Sequence, residues 1–182
     1  MKKRTSKEIF AEVLLELSAT QPVDKITVKE IVEKSGLSLQ TFYNHFTDKY
    51  ELILWVHKSK GQELIAKLES GSSYDEIVAE NLQFYLEHKD FFQNAFTNTE
   101  NPDGYGKMSG DAGYQLWKEH IMRRFSLDSL PGEIDFYLKM YCFASVRMTA
   151  EWAFNLPELP SEVFAAYMKE CMPLKLRPYM TN

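Results

Sequence analysis

Two short predicted helices joined by a glycine turn constrain this sequence more than any other feature. Thr27 and Glu30 have the spacing of a capping box, in which the threonine hydroxyl and the glutamate carboxylate accept hydrogen bonds from free N–H groups at a helix start. Gly36 can adopt the positive φ that ends such a helix, and Ser38 is a typical N-cap residue for the next one. The sequence therefore predicts a helix-turn-helix near its N-terminus.

The remainder of the chain is also predicted to be helical. Apolar residues recur at intervals of three and four, and no segment shows the strict alternation of a half-buried strand. Residues 97–113 hold so many glycine, asparagine and other turn-forming residues that they are predicted to be a long loop. We expect an all-α fold of about nine helices, which include 5–19, 27–34, 38–45 and 133–156.

The helix predicted over 133–156 is apolar around most of its circumference, which indicates burial against more than one neighbour. Arg147 and Glu151 lie four residues apart on this helix, and two buried charges are costly unless they are paired. We expect them to form an intrahelical ion pair. The alternative is that Arg147 awaits an anionic or hydroxyl-rich ligand.

Charge is distributed unevenly along the chain, whose net charge is -5. Residues 1–60 hold ten Lys and Arg against eight Asp and Glu, a balance of +2, whereas residues 61–182 hold eleven against eighteen, a balance of -7. Because phosphate attraction is screened beyond about 8–10 Å, a basic N-terminal third is sufficient for contact with a polyanion. No apolar run approaches the ~20 residues that span a bilayer, and no export signal is evident, so the expected location is cytoplasmic, with no membrane partner.

The third predicted helix has the side chains of a DNA reader. Phe42 and Phe46 are placed to anchor it from beneath, and a helix of this size fits the major groove. The side chains that are left pointing outward are Gln40, Thr41, Tyr43, Asn44 and His45.

This stretch closely resembles the DNA-binding domain of the TetR/AcrR family of bacterial transcription regulators. The resemblance covers about the first third of the chain. The residues that carry it are Ser35, Gly36, Leu37, Ser38, Thr41, Phe42, Tyr43, His45, Phe46, Lys49, Glu51 and Leu52.

The resemblance implies two groups of DNA-binding residues. Phosphate contacts, which would position the helix, are expected from Thr27, Tyr43, His45 and Lys49. Base-edge contacts, which would specify the site, are expected from Ser38, Leu39, Gln40 and Asn44. The family often has Lys or Arg where this chain has Leu39, which can make only apolar contact with a thymine methyl group, whereas Gln40 or Asn44 can pair with adenine. An operator richer in A·T at those positions is expected.

The resemblance also implies a division of labour along the chain. Residues 1–48 are expected to form a three-helix DNA-binding domain with the helix-turn-helix, and residues 49–182 a helical ligand-binding and dimerisation domain. A homodimer through the last two long helices would bind a palindromic double-stranded operator, because one short helix reads only a few base pairs. The function implied is that of a repressor released by a small molecule. The alternative is a coactivator or interaction module of the same fold that acts through a partner protein.

The C-terminal part resembles a branch of the family that is common in Firmicutes and includes regulators of dihydroxyacetone-kinase operons. Mostly aromatic residues that could line its effector site are Trp55, Tyr85, Phe92, Phe96, Trp117, Tyr141 and Arg147. No cofactor is predicted, and His57, His88 and His120 lack the spacing of metal ligands, so they are expected to be solvated or to cap helices. The sequence contains neither a nucleophile elbow nor a phosphate-binding glycine loop, so no motif in it indicates an enzyme.

Overall fold

The computed structural model describes residues 4–97, 104–156 and 158–181, and within these ranges it contains ten α-helices and no β-strand. The all-α prediction is confirmed, with one short helix more than expected. The helices are α1 (Ser6–Ser18), α2 (Val28–Ser35), α3 (Leu39–Tyr43), α4 (Lys49–Glu69), α5 (Tyr74–Glu87), α6 (Lys89–Thr97), α7 (Tyr105–Phe125), α8 (Gly132–Asn155), α9 (Ser161–Glu170) and α10 (Arg177–Met180).

The predicted capping box at the start of α2 is confirmed. The Glu30 N–H donates to the Thr27 hydroxyl over 3.2 Å, and the Thr27 N–H donates to the Glu30 carboxylate over 2.7 Å. Gly36 follows α2 with a φ of 68°, a left-handed conformation that costs a side-chain-bearing residue about 1–2 kcal/mol. The helix-turn-helix is therefore determined by local backbone chemistry at its first helix and its turn.

The third helix is shorter than the predicted segment 38–45. It spans five residues, because the N–H groups of His45 and Phe46 both bond the Phe42 carbonyl and tighten the last turn. Phe42 has no exposed surface and makes an edge-to-face contact with Phe10 of α1, with ring centroids 5.3 Å apart. This contact, which involves an equally buried Phe10, fixes α3 against the rest of the N-terminal region.

The buried cluster around Phe42, here called the junction core, extends well beyond α1–α3. It includes Leu52, Ile53 and Val56 of α4, and it also includes Tyr85 of α5 and Phe91 and Phe92 of α6. The N-terminal region and the helices that follow therefore share one packed interior in this structure. The long helix α4 begins in this core and continues into a second buried cluster through Leu64, Ile65 and Leu68.

Helix α7 corrects the prediction of a long loop over 97–113. Residues 98–103 lie outside the described part of the chain, but α7 begins at Tyr105 and contains Gly106 and Gly110. A Cβ atom on Gly110 would lie 2.9 Å from the ring of Phe143 on α8. The glycine permits a close approach of α7 and α8. A composition typical of turns does not reveal this role.

Helix α8 packs against α5, α6 and α7, as its apolar composition predicted, but it is not buried around its whole circumference. Ile134, Leu138 and Cys142 are buried, but one face leaves apolar side chains exposed at intervals of four residues. We call this face the α8 stripe, and its members are Phe136, Met140, Ala144 and Met148.

The expected ion pair between Arg147 and Glu151 on α8 is absent, although the structure describes both residues. Arg147 is exposed on α8, so its charge remains solvated and needs no partner. No helix within the described ranges is long and apolar enough to cross a membrane.

Candidate nucleic-acid interface and internal cavity

Helix α3 presents two large side chains to solvent above the buried Phe42. Leu39 is 50% exposed and Tyr43 is 53% exposed, and Gln40, Asn44 and His45 are also exposed. A helix anchored on one side and bare on the other is the arrangement that inserts into a DNA major groove. The structure thus brings the predicted base-edge and phosphate residues of α3 onto one open surface.

Hydroxyl groups near this surface are already occupied by capping bonds. The Ser38 hydroxyl accepts from the Thr41 N–H over 3.0 Å and lies 2.8 Å from the Thr41 hydroxyl. The Thr27 hydroxyl lies 2.7 Å from the Glu30 carboxylate. These groups set the start of each helix, so a DNA contact from any of them would share an atom with a cap.

Gln40 and Asn44 are linked on the exposed face of α3. The Gln40 Nε2 donates to the Asn44 Oδ1 over 2.9 Å, across one helical turn. This bond leaves the Gln40 Oε1 as an acceptor and the Asn44 Nδ2 as a donor, which is the pair of groups that matches the N6 and N7 edge of adenine. The structure therefore holds the two amides together before any DNA is bound.

Lys49 is placed differently from the other predicted phosphate contacts. Its ammonium donates to three backbone carbonyls in the segment between α1 and α2, at Val23 (3.1 Å), Asp24 (2.5 Å) and Ile26 (2.8 Å). Burial lowers the pKa of this ammonium below its usual value, although nearby Asp24 acts in the opposite direction. All three N–H groups are used, so the contacts in this structure are those of a residue that fixes a loop.

Exposed basic residues of α2 have acidic neighbours on the surface. Lys29 lies 3.7 Å from Glu33, and Lys34 lies 3.1 Å from Glu16 of α1. Exposed pairs of this kind contribute little to stability and are easily exchanged for other ions. Their lysines are therefore able to turn toward phosphates at little cost.

A partly open cavity of about 570 Å³ lies in the C-terminal part of the chain, between α4, α5, α7, α8 and α9. Its volume is within the range of small-molecule sites. The walls are mainly apolar, and they include Leu64, Ile65, Ile77, Leu82 and Phe164. Tyr74 and Tyr85 both line it and are eleven residues apart on α5, so the cavity extends roughly 16 Å along that helix at 1.5 Å per residue.

A histidine and a tyrosine meet at one end of the cavity. The Tyr85 hydroxyl lies 3.2 Å from Nδ1 of His57, which comes from α4. Burial lowers the pKa of His57 to about 4, although the nearby Ser109 carbonyl raises it. The imidazole is therefore neutral near pH 7, and this end of the cavity carries hydrogen-bonding groups without charge.

Two tyrosines meet at the other end of the cavity. The Tyr74 and Tyr141 hydroxyls are 3.0 Å apart, and the Tyr141 hydroxyl donates to the Met168 carbonyl over 2.9 Å. Burial raises the pKa of Tyr74 well above its usual value and that of Tyr141 above its own. Both phenols are therefore protonated and uncharged.

Three of the predicted effector residues line the cavity, namely Tyr85, Trp117 and Tyr141. The other four lie elsewhere. Phe92 is stacked behind Tyr85 with ring centroids 4.1 Å apart, and Trp55 packs against Phe46 in the junction core. Phe96 contacts Tyr105 and Phe154, and Arg147 is exposed to solvent.

Several polar cavity residues were missed by the sequence analysis, and His57 is the most informative. It was expected to be solvated or to cap a helix, but it lies four residues after Ile53 and seven before Leu64, on a buried face of α4. That spacing on α4 indicated that His57 would be buried.

The other two histidines differ in their surroundings. His120 is also buried, with Nδ1 3.0 Å from Glu69, whereas His88 is the C-cap residue of α5. Within the described ranges, no group of three or more His, Cys, Asp or Glu side chains is arranged to hold a metal ion.

Comparison with known proteins finds a family whose model the N-terminal region matches. Residues 12–56 match the model of the bacterial regulatory proteins, tetR family. Over 96 residues the chain is 26% identical to the HTH-type dhaKLM operon transcriptional activator DhaS of Lactococcus lactis subsp. lactis (strain IL1403). The match covers 53% of this chain and 51% of that relative, so it spans about half the length of the curated protein.

Solved structures share the fold over nearly the whole chain. The dihydroxyacetone kinase operon activator DhaS aligns with a TM-score of 0.64 and 18% identity, covering 96% of this chain and 98% of the other. Thermus thermophilus FadR, a TetR-family transcriptional repressor in complex with lauroyl-CoA, aligns with a TM-score of 0.61 and 16% identity, covering 91% and 92%. At these identities the likeness shows a common fold.

Proposed function

We propose that this chain, a transcriptional regulator of the TetR family, is a cytoplasmic homodimer that binds a palindromic operator and is released from it by a small molecule. Residues 1–48 would form the DNA-binding domain, and residues 49–182 the effector-binding and dimerisation domain. The proposal assigns no catalytic activity to the chain.

The exposed face of α3 is the observation that carries the DNA-binding part of the proposal. Leu39, Gln40 and Asn44 are exposed side by side on a helix whose opposite side is fixed by Phe42. We propose that Gln40 and Asn44 pair with adenine and that Leu39 contacts a thymine methyl group. Tyr43 and His45, exposed beside them, would contact phosphates, as would Thr27 at the start of α2.

Exposed apolar side chains support the homodimer. The α8 stripe places Phe136, 66% exposed, in line with Met140 and Met148, and on α9 Val163 and Tyr167 are exposed four residues apart. Apolar surface left bare on two helices favours burial against a second copy, and a two-fold dimer would match the symmetry of a palindromic site. These are the last two long helices of the chain, where dimerisation was predicted.

The direction of regulation has two candidates. Repression is the one proposed, and FadR, which shares the fold, is named as a repressor in complex with lauroyl-CoA. Activation is favoured by the Lactococcus lactis relative, which is named as an operon activator. A reporter gene under the native promoter, measured with and without this protein, distinguishes the two by the sign of the change.

DNA binding is tested with the region immediately upstream of the chain's own gene, titrated at several salt concentrations against a scrambled fragment. We expect specific binding in the nanomolar range with a steep salt dependence. Gln40→Ala should reduce the preference for the native fragment, whereas Gln93→Ala, an exposed glutamine on α6, should leave it unchanged. Equal binding to both fragments by the native chain would favour action through a partner protein.

Dimerisation is tested by sedimentation velocity on Met140→Glu, with Gln93→Glu as a control that adds the same charge at another exposed site. We expect the first variant to be monomeric and to lose operator binding, because one α3 helix contacts only half of the site. If the Met140→Glu protein remains dimeric, the dimer interface does not include the α8 stripe.

A further inference from the structure

The cavity carries information about the chemistry of its occupant, because the polar groups at its two ends are uncharged and the Tyr74 oxygen has a defined role as an acceptor. At the Tyr74 end, the Tyr141 hydroxyl uses its proton on the Met168 carbonyl. The Tyr74 hydroxyl, 3.0 Å away, must then donate its own proton to the Tyr141 oxygen. Both protons are used, and the Tyr74 oxygen retains lone pairs that can only accept.

The Tyr85 end is polar and uncharged as well. The Tyr85 hydroxyl lies 3.2 Å from Nδ1 of the neutral His57, and the imidazole tautomer decides which of the two groups donates to the other. A hydroxyl group can both donate and accept, so one at each end of a bound molecule matches the acceptor oxygen of Tyr74 and the pair of Tyr85 and His57.

Charged groups are confined to the more open part of the lining. Lys58 and Glu119 are exposed, and Asp111 is half-buried and bonded to Lys107 over 3.1 Å. No Lys or Arg among the described residues that line the cavity is buried. An anionic group inside would be desolvated without a buried counter-ion, which is costly, and at the Tyr74 end it would face an acceptor oxygen.

We propose that the effector of this cavity is an uncharged, elongated and mainly apolar molecule with a hydroxyl group near each end. This inference rests on the proposed effector site. The Ser145 and Thr149 hydroxyls, which also line the cavity, can donate or accept and so fit the same molecule. The apolar walls between the two polar ends contact its chain.

The test is isothermal titration of the full chain with three probes that share a ten-carbon chain: 1,10-decanediol, decanoate and decylammonium. We expect the diol to bind about tenfold more tightly than either charged probe, since each charged group must be desolvated. Tighter or equal binding of decanoate or decylammonium would overturn the proposal. Failure of all three to bind would overturn it as well.

Two variants test the assignment of the polar ends. Tyr85→Phe and Tyr74→Phe each remove one phenol but keep the ring, and each should weaken diol binding by about fivefold. Tyr179→Phe, on α10 outside the cavity lining, should leave diol affinity unchanged. Thermal melts of all three variants verify folding, and unchanged diol affinity in both cavity variants would contradict the proposal.

Operator binding is measured separately, so the proposed regulation by an effector and the proposed chemistry of that effector can be contradicted independently. Release of operator DNA by the diol supports both of them. A diol that binds without releasing DNA leaves the cavity chemistry intact and contradicts the proposed mode of regulation. An absence of diol binding in a chain that binds its operator contradicts only the cavity chemistry.

Discussion

Lys49 shares the family pattern, but its contacts in this structure are with backbone carbonyls of the chain itself. Its ammonium donates to three carbonyls between α1 and α2 and has no N–H group left for a phosphate. Lysine is suited to such a position because a compact ammonium with three donors meets carbonyls that arrive from different directions. We therefore expect Lys49 to act on DNA binding through the shape of the loop.

The Lys49→Met variant separates these two roles. Loss of three hydrogen bonds should lower the free energy of unfolding by about 1–2 kcal/mol, measured by chemical denaturation. Operator affinity should fall at every salt concentration, but the slope of log K against log salt should stay the same. A slope reduced by about 1 would instead show a lost phosphate contact. Lys175→Met, which breaks an exposed pair with Glu133, is the control for lost charge.

His57 should make stability depend on pH in a defined window. Its pKa is about 4 in the folded chain and near 6.5 when unfolded, because burial disfavours the charged ring. Between these values the unfolded state binds more protons, so the free energy of unfolding falls as pH falls from about 6.5 to 4. We expect His57 to contribute a loss on the order of 2 kcal/mol across this window.

The His57→Gln variant isolates this effect. Burial lowers the pKa of His88 as well, so the native chain and the variant both lose stability on acidification, but the native chain should lose more. Denaturation curves of both proteins at pH 7, 6, 5 and 4 give the comparison. Identical pH dependence in the two proteins would show that the pKa of His57 is the same in the folded and unfolded chain.

At the scale of helices, local capping signals were predictable, whereas helix contacts were not. The start of α2 at Thr27 and Glu30 was predictable because a capping box lies within four consecutive residues. Gly106 and Gly110 were assigned to a loop because their role depends on Phe96 and Phe143, which are distant in sequence. The exposed face of α8 was missed because apolar composition does not distinguish a buried face from one that is bare in a single chain.

Gly110 and Gly113 on α7 form a matched pair for testing helix packing. A Cβ atom at Gly110 would lie 2.9 Å from the Phe143 ring, whereas one at Gly113 would have no neighbour within 4 Å. Gly110→Ala should therefore lower the free energy of unfolding by about 1–3 kcal/mol. Gly113→Ala should raise it by up to about 1 kcal/mol, because alanine favours the helix. Calorimetric melting of both variants gives the two signs, and stabilisation by both would mean that α7 and α8 are less closely packed.

At the scale of the whole molecule, the cavity and α3 share the junction core. Tyr85 lines the cavity and stacks on Phe92, which contacts Phe91 with ring centroids 5.0 Å apart. The same buried cluster contains Phe10 and Phe42, which hold α3. The exposed residues of α3 could be predicted from a local sequence pattern. The shared junction core could not be predicted from sequence spacing, because it depends on how α5 and α6 pack against α1.

Phe92→Leu tests whether this shared core couples the two sites. The smaller side chain removes the ring stack on Tyr85 while keeping the position apolar, so we expect the factor by which the diol weakens operator binding to fall several-fold. Phe164→Leu is the control: Phe164 also lines the cavity, but its cluster, which holds Leu82 and Trp152, includes no residue of α1–α3. It should change diol affinity and preserve the coupling factor, as measured by operator titrations with and without diol. Equal loss of coupling in both variants would place the connection in α4, which extends from the cavity wall to the helix-turn-helix without passing through Phe92.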